Sequence, residues 1–178
     1  EAALWALTQL GKSLDEFIEE KTIIETLNQF SKYFHESLKK HFCWRMGIQD
    51  IDSKNLNLIM TILLNETENN KIDYADMFYD FYGGKDAIID CIKTNYGKKY
   101  KINEFSKIVE ILKESFPSKG ALEKKHELDN IRQNMLINEV EQIWSEIDKN
   151  DNWELLNKKV YKIRKLGYLL QSEQLVNL

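Results

Sequence analysis

Residues 22–47 read TIIETLNQFSKYFHESLKKHFCWRMG and carry the clearest helical pattern of the chain. Apolar side chains recur there every three or four residues, which places them on one face of an α-helix. Thr22 followed by Glu25 fits a capping box, and Gly47 fits a helix C-terminus, so the stretch predicts one long helix between these ends. Its apolar face consists of Ile23, Leu27, Phe30, Phe34, Leu38 and Phe42.

The rest of the chain has few residues that interrupt helices, since one proline and seven glycines occur among 178 residues. Pro117 follows an apolar-periodic run, where a proline ends a helix. The sequence therefore predicts an all-α fold, an irregular multi-helix bundle of about seven to nine helices. Further helices are predicted over residues 4–17, from Ser53, from Asp73, over residues 88–92 and 102–116, from Ala121 with a break near Asn134, and after a turn at residues 148–152.

Gly83-Gly84 is the only glycine pair and suggests a hinge. We predict an N-terminal helical cluster over residues 1–82 and a C-terminal helical cluster over residues 85–178, with one continuous domain as the alternative.

Glu1 stands where an initiator methionine is expected, which suggests a processed chain or a piece of a longer one.

The formal net charge of −4, with acids and bases interspersed, predicts no nucleic-acid partner. No apolar run approaches the roughly 18 residues of a membrane-spanning helix, and the first residues do not resemble a signal peptide. We therefore expect no membrane partner and a cytoplasmic location, or a mitochondrial one in a eukaryote. Cys43 and Cys91 lie far apart in apolar-periodic segments, which predicts two buried thiols.

Two stretches partly match calcium-binding loops. Asp148, Asn150 and Asn152 have the required spacing, but Trp153 and Lys159 replace the glycine and the glutamate, so a turn that starts a helix is predicted.

The pattern that begins at Asp50 and Asp52 fails in the same way, because Lys54 replaces the third oxygen ligand and Thr61 the last. His35 and His41 are six residues apart, a spacing that does not bring two imidazoles to one helix face.

Three charged clusters remain as candidates, each with a simpler interpretation. Asp73, Asp76 and Asp80 share one side of a short helix and could bind a cation, but a solvated acidic face is expected. Residues 97–101 combine lysines with a tyrosine, as phosphate or base binding requires, but an exposed connector is expected.

The last helix is crowded with positive charge, which complements its C-terminal dipole or could face an acidic partner. These residues are Lys158, Lys159, Lys162, Arg164 and Lys165.

The sequon Asn65-Glu66-Thr67 is interpreted as a chance match. No nucleophile has a histidine placed by a local motif, and no phosphate-binding glycine loop occurs. We predict no catalytic, cofactor-binding or metal-ligating residue in this chain.

Several segments occur in an order that matches a known protein family. Ala3-Leu4-Trp5-Ala6-Leu7, continuing to Leu10 and Leu14, is similar to the segment that follows that family's catalytic core. Residues 33–48 resemble its long helix that ends in a glycine turn, residues 56–64 followed by 73–78 resemble its next stretch, and residues 136–144 and 153–156 are similar to its ending. In these segments the chain resembles the selenoprotein O family of kinase-like protein adenylyltransferases.

The resemblance implies a non-catalytic, carboxy-terminal helical region of an enzyme that transfers AMP from ATP to protein hydroxyls. It places ATP, Mg²⁺ and the nucleotide-binding lysine in an upstream kinase-like domain, which would be the partner of this chain. The chain departs from the family pattern at Ile131-Arg132, where the family has Asn-Pro, and at Ile137, where it has an arginine. Cys91 is the last cysteine, so a redox-active cysteine near the C-terminus has no counterpart. The alternative function is a free-standing helical protein-protein interaction module.

Overall fold

A computed structural model describes residues 2–68, 74–101 and 104–171. These residues form nine α-helices, one 3₁₀ helix and no β-strand, which confirms the predicted all-α fold. The α-helices are α1 (Ala2–Ser13), α2 (Glu20–Met46), α3 (Ser53–Glu68), α4 (Tyr74–Asp80), α5 (Lys85–Lys93), α6 (Phe105–Leu112), α7 (Ala121–Asn130), α8 (Ile137–Asn150) and α9 (Glu154–Leu170), and the 3₁₀ helix is Tyr96–Lys101.

Helix α2 is longer than predicted at its N-terminus. It begins at Glu20, and the backbone N–H of Thr22 already donates to the carbonyl of Glu19, 2.9 Å away. Thr22 therefore lies inside the helix, and the predicted capping box is wrong. The C-terminus agrees with the prediction, because Gly47 follows Met46 with a φ of +61° that favours glycine.

Helix α1 is shorter than predicted. It ends at Ser13, and the backbone N–H of Phe17 donates to the carbonyl of Leu14 within a turn, at 2.9 Å. Because the chain has left the helix, Phe17 no longer shares its apolar face and is 81% exposed. The prediction that the first helix extends to Phe17 is wrong.

Contact density divides the chain into two compact units, Glu1–Phe42 and Cys43–Leu178. We call them the N-terminal unit and the C-terminal unit. The glycine pair lies inside the C-terminal unit, and the predicted division into residues 1–82 and 85–178 as separate clusters stays a prediction.

The core of the C-terminal unit is built by α3 to α6 and the 3₁₀ helix, which contact one another. Its fully buried apolar side chains include Ile59, Met77, Phe81, Ile88, Phe105, Ile108 and Leu112. A second cluster contains Tyr82, Ala121, Leu128 and Leu170. The indole N–H of Trp44, packed on this cluster, donates to the carbonyl of Leu170 at 2.6 Å.

The glycine pair reverses the chain between α4 and α5. Gly83 and Gly84 have φ angles of +98° and +70°, and both are buried. A Cβ atom on Gly84 would lie 2.6 Å from the carbonyl oxygen of Ser115, so no other residue fits there without displacing backbone.

Residues 97–101 are not the exposed connector that the sequence predicted. They belong to the 3₁₀ helix, in which Gly97 and Tyr100 are buried. The ring of Tyr100 lies between Phe81 and Phe105, with centroid distances of 4.6 and 5.4 Å. A Cβ atom on Gly97 would come within 1.9 Å of the carbonyl oxygen of Cys91, which explains why this short segment can pack so closely on α5.

In α6 to α8 the break between helices was predicted correctly, whereas the ends of α6 and α8 differ from the predicted ones. Helix α6 ends at Leu112, so Phe116 is not on its inner face and is 65% exposed. The break near Asn134 is confirmed, because α7 ends at Asn130 and α8 begins at Ile137. The predicted turn at 148–152 is shorter than expected, since α8 continues to Asn150.

Candidate functional site

Two of the predicted charged clusters meet in the C-terminal unit. The ammonium group of Lys99, on the 3₁₀ helix, lies 3.3 Å from Asp76 Oδ2 and 4.0 Å from Asp80 Oδ2, on α4. The hydroxyl of Tyr100 donates to Asp80 Oδ2 at 2.5 Å, and that of Tyr96 donates to Asp76 at 3.1 Å. Asp73, the third predicted acid, lies outside the described residues.

A second layer of charges comes from α7 and the segment after it. Arg132 Nη1 lies 2.6 Å from Asp80 Oδ1, and its Nη2 donates to Asp129 Oδ1 at 2.5 Å. Lys125 pairs with Asp129 at 2.6 Å. The sequence reasoning missed Lys125, Asp129 and Arg132. Their spacing of three and four residues along a helical run was the signal that could have found the local pairs.

The ionised groups of this site balance one another. We call the set the ion-pair cluster; its charged members are Asp76, Asp80, Asp129, Lys99, Lys125 and Arg132. Three carboxylates therefore face three cations. Within the described residues this cluster joins α4, the 3₁₀ helix and α7.

Burial of Asp80 strengthens its ion pairs and hydrogen bonds, because little water competes for its carboxylate. Asp80 is only 5% exposed. Burial raises the pKa of Tyr100, and the hydrogen bond and negative charge of Asp80 raise it further, so the phenol keeps its proton and remains a donor. Burial alone would lower the pKa of Arg132, but hydrogen bonds to Asp129 and Asp80 raise it above its usual value. Burial alone would raise the pKa of Asp129, yet Lys125 and Arg132 hold it below the usual range.

The guanidinium of Arg45 lies near this cluster's helix α4 and is held by aromatic rings. It sits 4.5 Å from the ring centroid of Tyr79 and 5.4 Å from that of Phe78. Burial lowers the pKa of Arg45, and its Nη1 atom is buried without a hydrogen-bond partner. The stacking is the kind of contact that arginine makes with aromatic faces, so Arg45 acts in packing.

The basic residues of α9 do not form one group. Lys159 is 6% exposed, pairs with Glu139 at 2.6 Å and donates to the carbonyl of Asn134 at 2.7 Å. It belongs to the packing of α9 against α8, whereas Lys158, Lys162, Arg164 and Lys165 are exposed. Lys159 is therefore not available to an acidic partner, and for the four exposed residues such a partner stays a prediction.

Each partial calcium-loop match supplies an oxygen that accepts a backbone N–H group at the start of a helix. Asn152 Oδ1 accepts the backbone N–H of Glu154 at 3.0 Å, in a turn across Trp153, which is the N-cap of α9. Asp52 Oδ1 accepts the backbone N–H groups of Lys54 and Asn55, each at 3.0 Å, and caps α3. The helix predicted from Ser53 and the helix predicted after residues 148–152 are both present.

The histidines and cysteines form no joint site either. His35 Nδ1 bonds the carbonyl of Ser31 at 2.6 Å, and His41 Nδ1 bonds that of Ser37 at 2.8 Å, so each ring contacts its own helix. Across the described ranges, no three His, Cys, Asp or Glu residues are placed to hold a metal ion.

The two cysteines are unlinked, and Cys43 is buried as predicted. Cys91 is only partly buried, so the prediction of a second buried thiol is wrong for it. Burial together with the negative charge of Asp80 raises the pKa of the Cys91 thiol to about 11. A thiol with so high a pKa is a poor nucleophile at neutral pH.

The N-terminal unit carries an apolar concavity. We call it the apolar groove: it has a volume of about 410 Å³ between α1 and α2 and is lined mainly by aliphatic and aromatic side chains. Gly11 lies at its base, where a Cβ atom would come within 2.6 Å of Ile23 Cγ2, so glycine permits the close approach of the two helices. The principal lining residues are Leu7, Leu10, Leu14, Ile23, Leu27 and Phe30.

Within the part of the chain that the structure describes, no helix is long and apolar enough to cross a lipid bilayer.

Comparison with known proteins identifies the family. No curated protein and no solved structure matches the chain. The family described as "Protein adenylyltransferase SelO" matches residues 1–164 of the 178, so the match includes both units and the resemblance in the sequence is confirmed. The chain therefore belongs to the SelO family of protein adenylyltransferases.

Proposed function

We propose that this chain is a non-catalytic helical region of a protein adenylyltransferase. In this proposal a kinase-like domain of the same protein binds ATP and Mg²⁺ and transfers AMP to hydroxyl side chains of proteins. The hydroxyl oxygen forms a bond to the α-phosphorus of ATP, pyrophosphate leaves, and the hydroxyl proton is released. The compartment in which we place the protein is the cytoplasm, or the mitochondrion in a eukaryote.

One observation supports the non-catalytic role above all others. The ion-pair cluster, where both predicted charged motifs meet, matches three carboxylates with three cations and buries Asp80 at its centre. Phosphoryl and nucleotidyl transfer requires charged groups that are free to bind metal and phosphate oxygens. Asp80 instead holds Tyr100 and Arg132, which favours a role in stability.

The proposal is tested by following AMP from ATP labelled on its α-phosphate. Three proteins are compared: the complete gene product, the same product lacking residues 1–178, and this chain alone. We expect protein labelling by the complete product, loss of at least about tenfold in rate without the chain, and none with the chain alone. Labelling by the chain alone, or a gene that encodes nothing more than this chain, would contradict the proposal.

A second candidate is a free-standing interaction module, and the exposed face of α9 favours it. Tyr161 and Tyr168 are 69% and 71% exposed there, Arg164 lies between them at helical spacing, and Lys162 is exposed on the same helix. Such a face suits an acidic partner. Salt-sensitive binding of a polyglutamate peptide, lost in a Lys162→Ala, Arg164→Ala variant, together with absence of AMP transfer by the complete gene product, would favour this function.

A further inference from the structure

Helices α8 and α9 contribute little to the core of the C-terminal unit. Helix α8 has no buried residue, and in α9 only Lys159 and Leu170 are buried. Helix α6, by contrast, buries four of its eight residues, and all four are apolar. Elements that bury few apolar side chains open locally at a lower free energy than the whole fold. The hairpin of α8 and α9 is therefore the part of this unit in which local opening is expected.

A buried lysine joins the two helices of the hairpin. The ammonium group of Lys159, on α9, lies 2.6 Å from Glu139 Oε2 on α8 and donates to the backbone carbonyl of Asn134 at 2.7 Å. Asn134 lies in the segment just before α8. Because water hardly reaches this ammonium group, separating it from its partners while it stays buried is costly. The contact favours movement of residues 134–170 as one body, which we call the arm.

The residue before Asn134 is held by a different part of the fold. The hydroxyl of Tyr79, on α4, donates to the backbone carbonyl of Gln133 at 2.9 Å and accepts its backbone N–H at 3.1 Å. Arg132 Nη1 lies 2.6 Å from Asp80 Oδ1 on the same helix α4. Gln133 is thus bound to α4 and Asn134 to the arm, in a segment that is not helical. Such a segment can absorb the change in backbone angles that a hinge requires.

The far end of the arm packs against the rest of the unit. Leu170 belongs to the apolar cluster that also contains Tyr82, Ala121 and Leu128. The indole N–H of Trp44 donates to the backbone carbonyl of Leu170 at 2.6 Å. These contacts hold the last turn of α9 against the unit.

Two further features limit how firmly the arm is held closed. The Oδ1 atom of Asn134 is buried without a hydrogen-bond partner. A buried acceptor of this kind destabilises the closed state, and opening would supply it with water. The ion pair of Lys165 with Glu127, which joins α9 to α7 at 3.6 Å, has both side chains about half exposed and contributes little. The arm is therefore held closed mainly by the end of α9.

We propose that residues 134–170 are a hinged arm, which opens as one body about the backbone at residues 133–134 while α3 to α7 stay folded. Opening breaks the hydrogen bond from Trp44 to Leu170. It also uncovers Tyr82, Ala121 and Leu128, the apolar surface on which the end of α9 packs. The inference does not depend on the proposed function.

Hydrogen exchange of this chain, followed by NMR at urea concentrations below the unfolding transition, tests the inference. We expect the amides of α8 and α9 to exchange at least about 100-fold faster than those of α6. They should also converge on one urea dependence, because a single opening exposes them together. Exchange of α8 and α9 as slow as that of α6, or separate urea dependences for the two helices, would overturn the inference.

A matched pair of tryptophan variants distinguishes the arm from fraying of a helix end. Trp44→Phe keeps an aromatic ring in place but removes the donor to Leu170, whereas Trp144→Phe makes the same change on α8, where Trp144 is 63% exposed. We expect Trp44→Phe to accelerate exchange throughout α8 and α9 by about fivefold, the effect of losing one hydrogen bond, and to leave α6 within about twofold. Trp144→Phe should leave all three helices unchanged. Acceleration confined to the end of α9, shared equally by α6, or absent would overturn the inference.

A matched pair of lysine variants tests how the arm is held together. In a Lys159→Met background, Trp44→Phe should accelerate exchange in α9 but not in α8, because the contact between the helices is lost. In a Lys162→Met background both helices should respond, since Lys162 is exposed on α9 and forms no ion pair with any described residue. Loss of all protection in α8 and α9 of Lys159→Met, with α6 unchanged, would also support the role of Lys159. A joint response of α8 and α9 in the Lys159→Met background would overturn it.

Discussion

Helices α1 and α6 have similar spacing of apolar residues, but their apolar side chains differ in burial. In α6 the residues Phe105, Ile108, Val109 and Leu112 are all buried in the C-terminal unit. In α1 the only buried residue is Gly11, although leucines recur along one face. The spacing identifies which face of a helix is apolar, but burial depends on a second surface that the helix can reach. The C-terminal unit supplies that surface itself, and the N-terminal unit does not.

The largest effect is expected from Asp80→Ala in the chain alone. The substitution leaves Arg132 and Tyr100 without their buried partner, and removing one member of a buried pair costs about 3–5 kcal/mol. Urea unfolding followed by circular dichroism measures this loss. Asp90→Ala is the control, since Asp90 forms only an exposed pair with Lys93 and should cost less than about 1 kcal/mol. Equal losses would mean that the C-terminal unit does not depend on the ion-pair cluster.

The next test compares truncation of an apolar side chain in each unit. Met77 is fully buried, whereas Leu10 is 55% exposed. We expect Met77→Ala to lower the free energy of unfolding of the chain by about 2–5 kcal/mol and Leu10→Ala by less than about 1 kcal/mol. The measurement is again urea unfolding. A large effect of Leu10→Ala would remove the difference between the units.

The thiol of Cys91 reports on the packing of the C-terminal unit. Its pKa is raised from 9.0 to about 11, so the thiolate fraction at pH 8 is about 100-fold lower than for an ordinary thiol. Alkylation by iodoacetamide, followed by peptide mass spectrometry, should be slower by at least that factor in the folded chain than in urea. The rate should rise as the pH approaches 11. Equal rates at pH 8 would show that the site is more open than the structure indicates.

The smallest effect is a pH dependence at Asp129. Because its folded pKa lies below the model-peptide value of 3.8, the ionised group contributes stability above that pH. The contribution is lost as the pH falls through the lowered pKa. Asp129→Asn should therefore reduce stability at pH 7 by less than about 1 kcal/mol, since the group is partly exposed, and the difference from wild type should shrink towards pH 3. Urea midpoints at both pH values test this, and a difference that grows on acidification would contradict it.

Local signals predicted the helix ends better than the site. Gly47 correctly predicted the end of α2, because a glycine after a helix acts within one turn. Ser53 is the first residue of α3, and Asn134 lies in the predicted break between α7 and α8. The 3₁₀ helix Tyr96–Lys101 was missed because its stability comes from Asp76 and Asp80, which lie about 20 residues earlier in the chain.

The ion-pair cluster could not be predicted either, because its members lie even farther apart in the sequence. Arg132 reaches Asp80 across 52 positions of sequence, and no spacing rule connects residues that far apart. The exposure of α1 could not be predicted either, since apolar periodicity is the same whether the covering surface lies in this chain or in another domain. The same periodicity included Phe17 and Phe116 in the predicted helices 4–17 and 102–116, although both follow the ends of their helices and are exposed.

The rate of AMP transfer by the complete gene product, compared with and without residues 1–178, tests the proposed function most directly. The account predicts a loss of at least about tenfold without these residues and no transfer by this chain alone. Transfer of AMP by this chain alone would contradict the claim that it is a non-catalytic region of the adenylyltransferase.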